Sequence, residues 1–515
     1  MTRPHDGPKH RTMMSDDFTE PDAAETTDEG RRARVRRDWV IGLIAIALLI
    51  IGPIVVYTGV SGSLAAAASD DPWTGVPTSA PHTDHSDLMT GPYETGPDVT
   101  KACLECHEEA GEEMLHSEHW LWLNPPVSLP GRDEPVSIGK ANALNNFCLG
   151  IQGNEPKCTS CHAGYGWEDS SFDFSNEANI DCLVCHDQSG QYAKADSGYV
   201  AEGVDLVAAA KSVGSPTRAN CGTCHFNGGG GDAVKHGDLD GTMMYPNETI
   251  DFHMGTLDFE CVDCHETVDH QIPGTLTSVK LVDDLPVACT DCHSITPHED
   301  ERLNSHTDRV ACETCHIPYY AVDEPTKLWW DWSTAGQDGV SDDPHEYLKI
   351  KGSFVYGENL VPEYFWFNGT ADRYLLGDPI DPDGVTALNE PNGSVDDPTA
   401  LIYPFKVHRG NQPYDLVNNY FLLPHLAGDD GFWTMFDWPS ALEIGAADSG
   451  LDYSGEYGFA RSDMYWALNH QVAPASDALQ CTACHSVDGR LDWQALGYIG
   501  DPMDTAGRRL SGGDG

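Results

Sequence analysis

The stretch Cys289–His316 reads CTDCHSITPHEDERLNSHTDRVACETCH, and it begins and ends with the same motif, Cys-x-x-Cys-His. This motif occurs eight times in the chain and takes up 16 of the 17 cysteines. It is the attachment signature of haem c, in which two thiols bond the porphyrin and the adjacent histidine can bind the iron. A zinc site does not require a histidine directly after the second cysteine, and a disulfide framework does not repeat one spacing eight times. The sequence therefore predicts eight covalently bound haems c.

The motifs, numbered 1 to 8 in chain order, define two sets of haem-binding residues. The attachment cysteines are Cys103 and Cys106, Cys158 and Cys161, Cys182 and Cys185, Cys221 and Cys224, Cys261 and Cys264, Cys289 and Cys292, Cys312 and Cys315, and Cys481 and Cys484. The histidines that close the motifs are the predicted first iron ligands, namely His107, His162, His186, His225, His265, His293, His316 and His485.

Second iron ligands are expected among the histidines outside the motifs. A haem with two protein ligands transfers electrons, whereas a catalytic haem needs an open or displaceable position. Histidines close to a motif are preferred, because the chain can return to an iron there. They are His119, His253, His270, His298, His306 and His470, with His236 or His425 as the seventh.

The spacing of the motifs predicts the fold class. Seven motifs lie within 101–316, so the segments between them are too short to bury cores of their own. The haems must therefore form much of the core, and we expect a mainly α, loop-rich multihaem cytochrome c fold over 101–500. Residues 317–480 carry no attachment motif but contain clusters of aromatic residues, which we expect to pack against haem faces and helices. The clusters lie at 329–332, 364–367 and 432–438.

An uncharged segment near the start of the chain predicts a membrane anchor. Residues 40–60 read VIGLIAIALLIIGPIVVYTGV, long enough to cross a membrane, and five arginines within 31–37 precede them. We expect a retained single-pass helix with the haem domain on the extracytoplasmic side, where haem c is attached. The alternative is a cleaved signal peptide with its cleavage region near 65–68. The other predicted segments are a disordered cytoplasmic tail at 1–39, a linker at 61–100 and a flexible tail at 501–515.

The charge balance excludes some partners. The chain has 29 Lys and Arg against 82 Asp and Glu, a formal net charge of −53. Nucleic-acid binding and docking on anionic lipid need basic surfaces, so neither is expected. Excess carboxylates with only 12 lysines are typical of proteins from salt-rich cells, which favours a haloarchaeal source. Because carboxylates occur throughout the chain, the sequence does not indicate whether a structural calcium ion is bound.

Two features are not expected of a protein that only conducts electrons. Cys148 is the only cysteine outside a motif. Gly228–Gly231 is a run of four glycines, which lets backbone approach a flat cofactor or a substrate closely. Asp232 and Lys235 follow this run, and lysine is scarce in the chain. Either could also be structural, the cysteine as a small buried residue and the lysine as a solvated charge.

Several segments resemble one family of multihaem enzymes. Asn145–Trp167 reads NNFCLGIQGNEPKCTSCHAGYGW, Asp181–Asp187 reads DCLVCHD, Asn220–Asp240 reads NCGTCHFNGGGGDAVKHGDLD, and 408–415 reads HRGNQPYD. Together with the layout of eight motifs, these segments resemble the octahaem tetrathionate reductases. These are extracytoplasmic octahaem cytochromes c related to pentahaem nitrite reductases and hydroxylamine oxidoreductases.

The resemblance covers roughly 100–495 and implies an active site at the haem of motif 2. It implies Lys235 as the distal ligand of that haem, with Cys148 and Asp232 as further catalytic residues. The amine of Lys235 must be neutral to bind iron, so burial must lower its pKa. A thiolate at Cys148 would attack a sulfenyl sulfur, and Asp232 would relay protons or orient Lys235. The anchor and the acidic composition depart from the family's soluble members.

The predicted function is reduction of a small sulfur or nitrogen compound such as tetrathionate, nitrite or hydroxylamine. A quinol-linked or cytochrome electron donor would supply the electrons, and the membrane contact would be made through the protein's own helix. Two alternatives stay open. One is a non-enzymatic electron-transfer cytochrome, and the other is an oxidase similar to hydroxylamine oxidoreductase.

Overall fold

The attachment motifs lie on short helices and turns joined by irregular segments. The computed structural model describes Val76 and residues 82–129, 132–274 and 286–510, all within one compact body that spans 71–515. The helices of the first part are α1 Gly96–Leu104, α2 Ala110–Leu115, α3 Glu155–Cys158, α4 Leu183–His186, α5 Leu206–Lys211, α6 Arg218–His225, α7 Phe252–Thr256, α8 Cys261–Cys264, α9 Glu301–His306 and α10 Cys312–His316. The loop-rich architecture expected for the motif region is therefore present.

The longer of these helices start at side-chain caps. Thr95 and Asp98 cap the start of α1 reciprocally, and Thr217 and Asn220 do the same for α6. Such caps satisfy backbone N–H groups that have no partner within the helix. Helix α6 contains the whole of motif 4, so its two cysteines are one turn apart and lie on the same face.

A seven-stranded β-sheet lies in the region that follows. Its strands are β1 Thr326–Asp331, β2 Tyr347–Leu348, β3 Gly352–Gly357, β4 Glu363–Phe367, β5 Val385–Ala387, β6 Leu401–Asp415 and β7 Tyr457–Ala467. The order across the sheet is β2-β3-β1-β6-β7-β5, and β4 also pairs with β6. Strands β1 and β6 are parallel, as are β5 and β7, and the other pairs are antiparallel.

The expectation of a mainly α fold is wrong for this region. The central strand β6 is buried along nearly its whole length instead of on alternate residues. Strands buried on both faces lack the alternation of apolar and polar residues that identifies a strand in a sequence. The sequence pattern did not predict the sheet for that reason. The prediction of a multihaem cytochrome c fold is unaffected.

The aromatic clusters of 317–480 pack on this sheet and on the helices after it. Trp330 and Trp332 stack with ring centres 4.9 Å apart, and Phe432 lies 4.1 Å from Trp438. All four belong to the largest apolar core of the described residues. The remaining helices are α11 Phe432–Met435, α12 Trp438–Ser449, α13 Cys481–Cys484 and α14 Pro502–Thr505. This region therefore has a protein core of its own next to the motifs.

The predicted membrane segment requires a correction. The tail at 1–39 and the anchor at 40–60 lie outside the described residues. Within the part of the chain that the structure describes, no helix is long and apolar enough to cross a membrane. This finding contradicts the predicted single-pass membrane localisation.

The linker and the C-terminal tail are partly folded where they are described. Helix α1 begins inside the predicted linker 61–100, and Met89 and Val99 are buried in a small core with Leu206. The predicted flexible tail 501–515 begins with helix α14, and Arg509 forms a β-bridge with Tyr498. The sequence did not predict these contacts, because both segments are mostly polar and only a few apolar residues form them.

Candidate haem sites and catalytic centre

Neighbouring motifs approach each other through their cysteines. Cysteines of motifs 1 and 3, 2 and 4, 4 and 5, and 6 and 7 lie close enough to shift each other's pKa. The pairs are Cys103 with Cys182, Cys161 with Cys224, Cys221 with Cys261, and Cys289 with Cys312. Burial and the nearby Cys292 raise the pKa of Cys264 to about 11, and burial and the nearby Cys484 do the same for Cys315. Motifs 5 and 6, and 7 and 8, are therefore also close together. The motifs form an array of close neighbours rather than isolated sites.

Six of the eight motif histidines face a second histidine at nearly the same distance. Measured between ring centres, the pairs are His107 with His85 (6.1 Å), His225 with His119 (6.1 Å), His265 with His470 (6.3 Å), His293 with His253 (6.1 Å), His316 with His298 (6.2 Å) and His485 with His306 (6.3 Å). Two imidazoles whose nitrogens each lie about 2 Å from a shared metal ion have ring centres about 6 Å apart. Each gap therefore fits one iron between two histidines.

The hydrogen bonds of these rings leave one nitrogen free for a metal. Nδ1 is bonded to a backbone carbonyl or a carboxylate in five of them, namely His85 to Thr83, His265 to Pro273, His306 to Arg302, His470 to Asp238 and His485 to Asp501. Metal-binding histidines usually donate their second ring N–H in this way. The donor set therefore fits haem iron bound through Nε2.

His186 of motif 3 also has its Nδ1 bonded to a backbone carbonyl, but no ring-centre distance to a second histidine of the described chain defines its partner. Its Nδ1 lies 2.9 Å from the carbonyl oxygen of Gly214. Burial lowers the pKa of His186, and His270 is among the neighbouring charges that lower it further. Nδ1 of His270 is bonded to the carboxylate of Glu113 at 2.8 Å, so Nε2 is free on this ring too. The structure thus brings His270 close to motif 3.

His162 of motif 2 is oriented differently from the other motif histidines. Its Nε2 lies 3.0 Å from the carbonyl oxygen of Trp120, and its buried Nδ1 has no hydrogen-bond partner. The rings of Trp120, Trp167, Phe172 and Phe174 enclose it, with centres 4.8–5.9 Å away. Burial lowers the pKa of His162 to about 4, so the ring is neutral and Nε2–H donates to the carbonyl. In this orientation Nε2 is not available to iron, unlike the predicted role of this histidine.

The glycine run holds Lys235 and Cys148 close to its backbone. A Cβ atom on Gly228 would lie 3.2 Å from Cδ of Lys235, and one on Gly230 would lie 3.0 Å from Sγ of Cys148. Gly230 also has a φ of +98°, which side chains other than glycine rarely tolerate. The run therefore leaves room for both side chains to lie against its backbone.

Lys235 has the properties of an amine that can bind a metal. Burial lowers its pKa to about 7, and the charge of Lys140 contributes to the shift. The opposing influence of Cys161 places the amine near motif 2. Its Nζ lies 4.9 Å from the centre of the Trp466 ring. A large fraction of this amine is therefore neutral at neutral pH.

Two buried side chains of the sheet bind the backbone of the segment 233–236, which carries Lys235. Nζ of Lys406 donates to the carbonyls of the second and third residues of the segment, at 2.9 and 3.1 Å. Oγ1 of Thr326 donates to those of the first and fourth, at 2.6 and 3.2 Å. Ala233, the first residue, has a φ of +54°, in the left-handed region. Strands β1 and β6 thereby determine where this segment lies.

Cys148 lies between motif 2 and two lysines. Its N–H donates to Oδ1 of Asn145 at 2.9 Å. Burial raises the pKa of the thiol, whereas the charges of Lys351 and Lys327 act to lower it. Cys148 in turn raises the pKa of Cys158, the first cysteine of motif 2. The only cysteine outside the motifs is thus adjacent to the one motif whose histidine faces away.

Two predicted site residues make other contacts. Asp232 is exposed, and its carboxylate accepts a hydrogen bond from the N–H of Gly241 at 2.8 Å rather than contacting Lys235. The ring of His236 packs on Trp466, 4.9 Å between centres, instead of facing a motif histidine. Among the described residues His236 is thus not paired with a motif histidine, and its role as an iron ligand stays a prediction.

His85 takes the place expected for His236 or His425. His425 instead lies 3.3 Å from the carboxylate of Asp430. His85 precedes motif 1 in the chain, so the rule of sequence proximity could have selected it. Lys406 has no comparable local signal, because β6 is far from motif 2 in the sequence.

The comparisons with known proteins point to one class. Residues 327–488 match the family model described as bacterial cytochrome c. A solved octahaem cytochrome c from Shewanella oneidensis is 46% identical, with a TM-score of 0.78, over 83% of this chain and 100% of that chain. An uncharacterised protein from Archaeoglobus fulgidus is 24% identical over 268 residues, which is 42% of this chain and 90% of that protein. The prediction of covalently bound haem c is confirmed.

Proposed function

Because the chain belongs to the octahaem cytochromes c, we propose that it is an oxidoreductase that reduces small sulfur or nitrogen compounds. The candidate substrates are tetrathionate, nitrite and hydroxylamine. They react at the haem of motif 2, and the other seven haems transfer electrons to it. The seven remaining motif histidines bind iron together with their histidine neighbours, including His85 and His270.

One observation carries this proposal: the orientation of His162. A haem with two imidazole ligands only transfers electrons, so a reaction needs a haem with a different ligand set. The Nε2 of His162 is bonded to the carbonyl of Trp120, and the buried amine of Lys235 lies near the same motif. We assign Lys235 as the residue that would bind the iron of this haem, which would then be able to react with a substrate.

The thiol of Cys148 supplies the sulfur chemistry. Haem c supplies single electrons when it is bound. Burial raises the pKa of Cys148, so its thiol first releases a proton to solvent. With tetrathionate, the resulting thiolate attacks an inner sulfur, the central S–S bond breaks, and one thiosulfate leaves. Two electrons then cleave the bond between the cysteine and the remaining thiosulfate group, which leaves as a second thiosulfate and regenerates the thiolate. Asp232 takes no part in these steps, because its carboxylate is exposed and bonded to Gly241.

The array of motifs supports an electron path to motif 2. The cysteines of motif 2 lie close to those of motif 4, and the cysteines of motif 4 lie close to those of motif 5. Motifs 5 to 8 continue the array in chain order. A quinol-linked or cytochrome donor that reduces any haem of this array supplies the electrons.

The test is turnover of the full-length, haem-loaded protein under anaerobic conditions. Reduced viologen is the donor, and tetrathionate, nitrite and hydroxylamine are the acceptors. Lys235→Ala should abolish or strongly reduce turnover of all of them, whereas Lys211→Ala, which changes an exposed lysine, should have no effect. Cys148→Ala should abolish tetrathionate reduction and leave the nitrogen substrates largely unaffected.

Two outcomes would contradict parts of this proposal. If Cys148→Ala reduces nitrite and also reduces tetrathionate at the wild-type rate, the thiolate step is wrong. A protein that carries eight haems and reduces none of the acceptors would instead be an electron-transfer cytochrome. The seven motifs whose histidines lie near a second histidine are compatible with such a cytochrome as well.

A further inference from the structure

A cationic cluster lies beside Cys148, in a chain of strongly negative charge. The chain has 12 lysines, and two of them, Lys327 and Lys351, are the charges that act to lower the pKa of the Cys148 thiol. Among the described residues, no carboxylate forms an ion pair with either ammonium group. Buried or half-buried cations without a carboxylate partner are uncommon and favour the binding of an anion.

Lys327 is the clearer case. It is 2% exposed, and its Nζ has no hydrogen-bond partner in the described part of the chain. The group is held only by aromatic faces, 3.7 Å from the centre of Trp330, 3.4 Å from that of Phe354 and 5.3 Å from that of Tyr356. Within the described chain, an aromatic cage holds the amine without a carboxylate beside it. Because burial lowers the pKa of Lys327 to about 6, the group carries its charge below that pH or when an anion binds next to it.

Lys351 brings a second charge to the same place. Its Nζ donates to the carbonyl of Gly230 at 3.1 Å. A Cβ atom on Gly230 would lie 3.0 Å from Sγ of Cys148 and 3.4 Å from Nζ of Lys351. The sulfur and the amine are therefore at most about 6.4 Å apart, the sum of those two distances. Lys351 also faces Trp330, 5.8 Å from its ring centre, so both lysines share this ring.

We propose that Lys327 and Lys351 form an oxoanion subsite that binds a terminal sulfonate of a polythionate next to Cys148. The inference rests on the proposed function, which it deepens by naming the substrate class as dianionic sulfur oxoanions. In such a chain, a terminal sulfonate lies one or two S–S bonds, each about 2 Å, from the sulfur that a thiolate attacks. The short distance between Cys148 and Lys351 matches that spacing.

The subsite distinguishes substrates by charge. Tetrathionate carries two negative charges, nitrite carries one, and hydroxylamine is neutral at neutral pH. Charge-assisted hydrogen bonds to a sulfonate contribute to the binding of tetrathionate but not of hydroxylamine. The two lysines should therefore determine KM for tetrathionate and have little influence on hydroxylamine.

The experiment compares Lys351→Gln and Lys327→Met with the wild-type holoprotein. Losing one charge-assisted contact should raise KM for tetrathionate about tenfold or more, with kcat nearly unchanged and hydroxylamine kinetics unaffected. Lys349→Gln is the matched control, because Lys349 is two residues away and pairs with Asp338 at 2.7 Å. If Lys327→Met does not fold, Lys351→Gln alone decides the question, since its side chain is half-buried.

Binding of thiosulfate, measured by calorimetry, separates this inference from the proposed function. Binding that weakens at least about tenfold in both variants but not in Lys349→Gln supports the subsite, even in a protein that reduces no acceptor. Unchanged thiosulfate binding and unchanged tetrathionate KM would overturn the subsite and make both lysines structural, while the proposed function would stand if turnover persisted. Equal losses for tetrathionate and hydroxylamine would also overturn it, because they would indicate general distortion of the site.

Discussion

Replacing Lys406 with methionine tests whether the sheet positions the ligand of the catalytic haem. Methionine has a similar length but lacks the ammonium group that bonds the carbonyls of Val234 and Lys235 at 2.9 and 3.1 Å. Thr326 would keep its own bonds to the carbonyls of Ala233 and His236. The substitution therefore removes half of the contacts that bind the segment 233–236 and creates no large cavity.

The expected magnitude follows from these contacts. Lys406 is fully buried, and each buried acceptor left without a donor costs about 1–3 kcal/mol. Removing an ammonium group from the interior works in the opposite direction. We expect the free energy of unfolding to fall by about 2 kcal/mol. The left-handed conformation of Ala233 costs about 1–2 kcal/mol, so the freed segment should relax and withdraw Lys235 from the iron.

Denaturant unfolding measures the loss of stability, and absorption and EPR spectra report the ligand of the haem. The high-spin signal of the motif 2 haem should change in Lys406→Met, because its amine ligand is displaced, and turnover should fall with it. Lys349→Met, at a half-exposed position, should change stability by less than about 0.5 kcal/mol and leave the spectra unchanged. Wild-type stability in Lys406→Met would refute the packing argument. A destabilised variant with wild-type spectra would refute the positioning role.

The other predictions concern iron ligation, pH and salt. Replacing His306 with alanine removes one ring of the last histidine pair and should make one further haem high-spin by EPR, whereas the exposed His345→Ala should change nothing. Burial lowers the pKa of Lys327 to about 6. The charges of Lys351 and of the buried lysine of β6 also lower this pKa, whereas Cys148 acts to raise it. Thiosulfate affinity should therefore fall as the pH rises from 5.5 to 8, by calorimetry, because a neutral amine does not attract an anion. Dialysis from molar KCl to low salt should lower the Tm of the holoprotein, because 82 acidic residues then repel each other with less screening.

The haem sites were the most predictable part of the molecule. A thioether-linked haem requires its two cysteines and its histidine in a fixed local order, so each attachment site is encoded within five residues. His298 and His306 were predicted as second ligands because they lie between motifs 6 and 7. The structure places each of them about 6 Å from a motif histidine, measured between ring centres. The ring of His236 packs against Trp466, more than two hundred residues away, and no local pattern indicates this contact.

The sheet and the details of the catalytic centre depend on contacts that no local pattern records. Strand β6 is buried on both faces, so it lacks strand periodicity. The orientation of His162 is set by the carbonyl of Trp120 and by four aromatic rings from two separate stretches of chain. The resemblance to a known family suggested Lys235 and Cys148, but the residues that hold and surround them come from β1, β3 and β6.

Because the net charge is −53, the positions of the few lysines decide whether the protein can bind an anionic substrate. A surface with this excess of carboxylates repels a dianion such as tetrathionate at long range. Salt screens that repulsion within about 8–10 Å, so only charges close to the site decide whether the anion binds. Lys327 and Lys351 meet this requirement, because both influence the Cys148 thiol and neither is neutralised by a carboxylate among the described residues. An acidic protein can thus bind an anionic substrate when its few unpaired cations are placed beside the reacting sulfur.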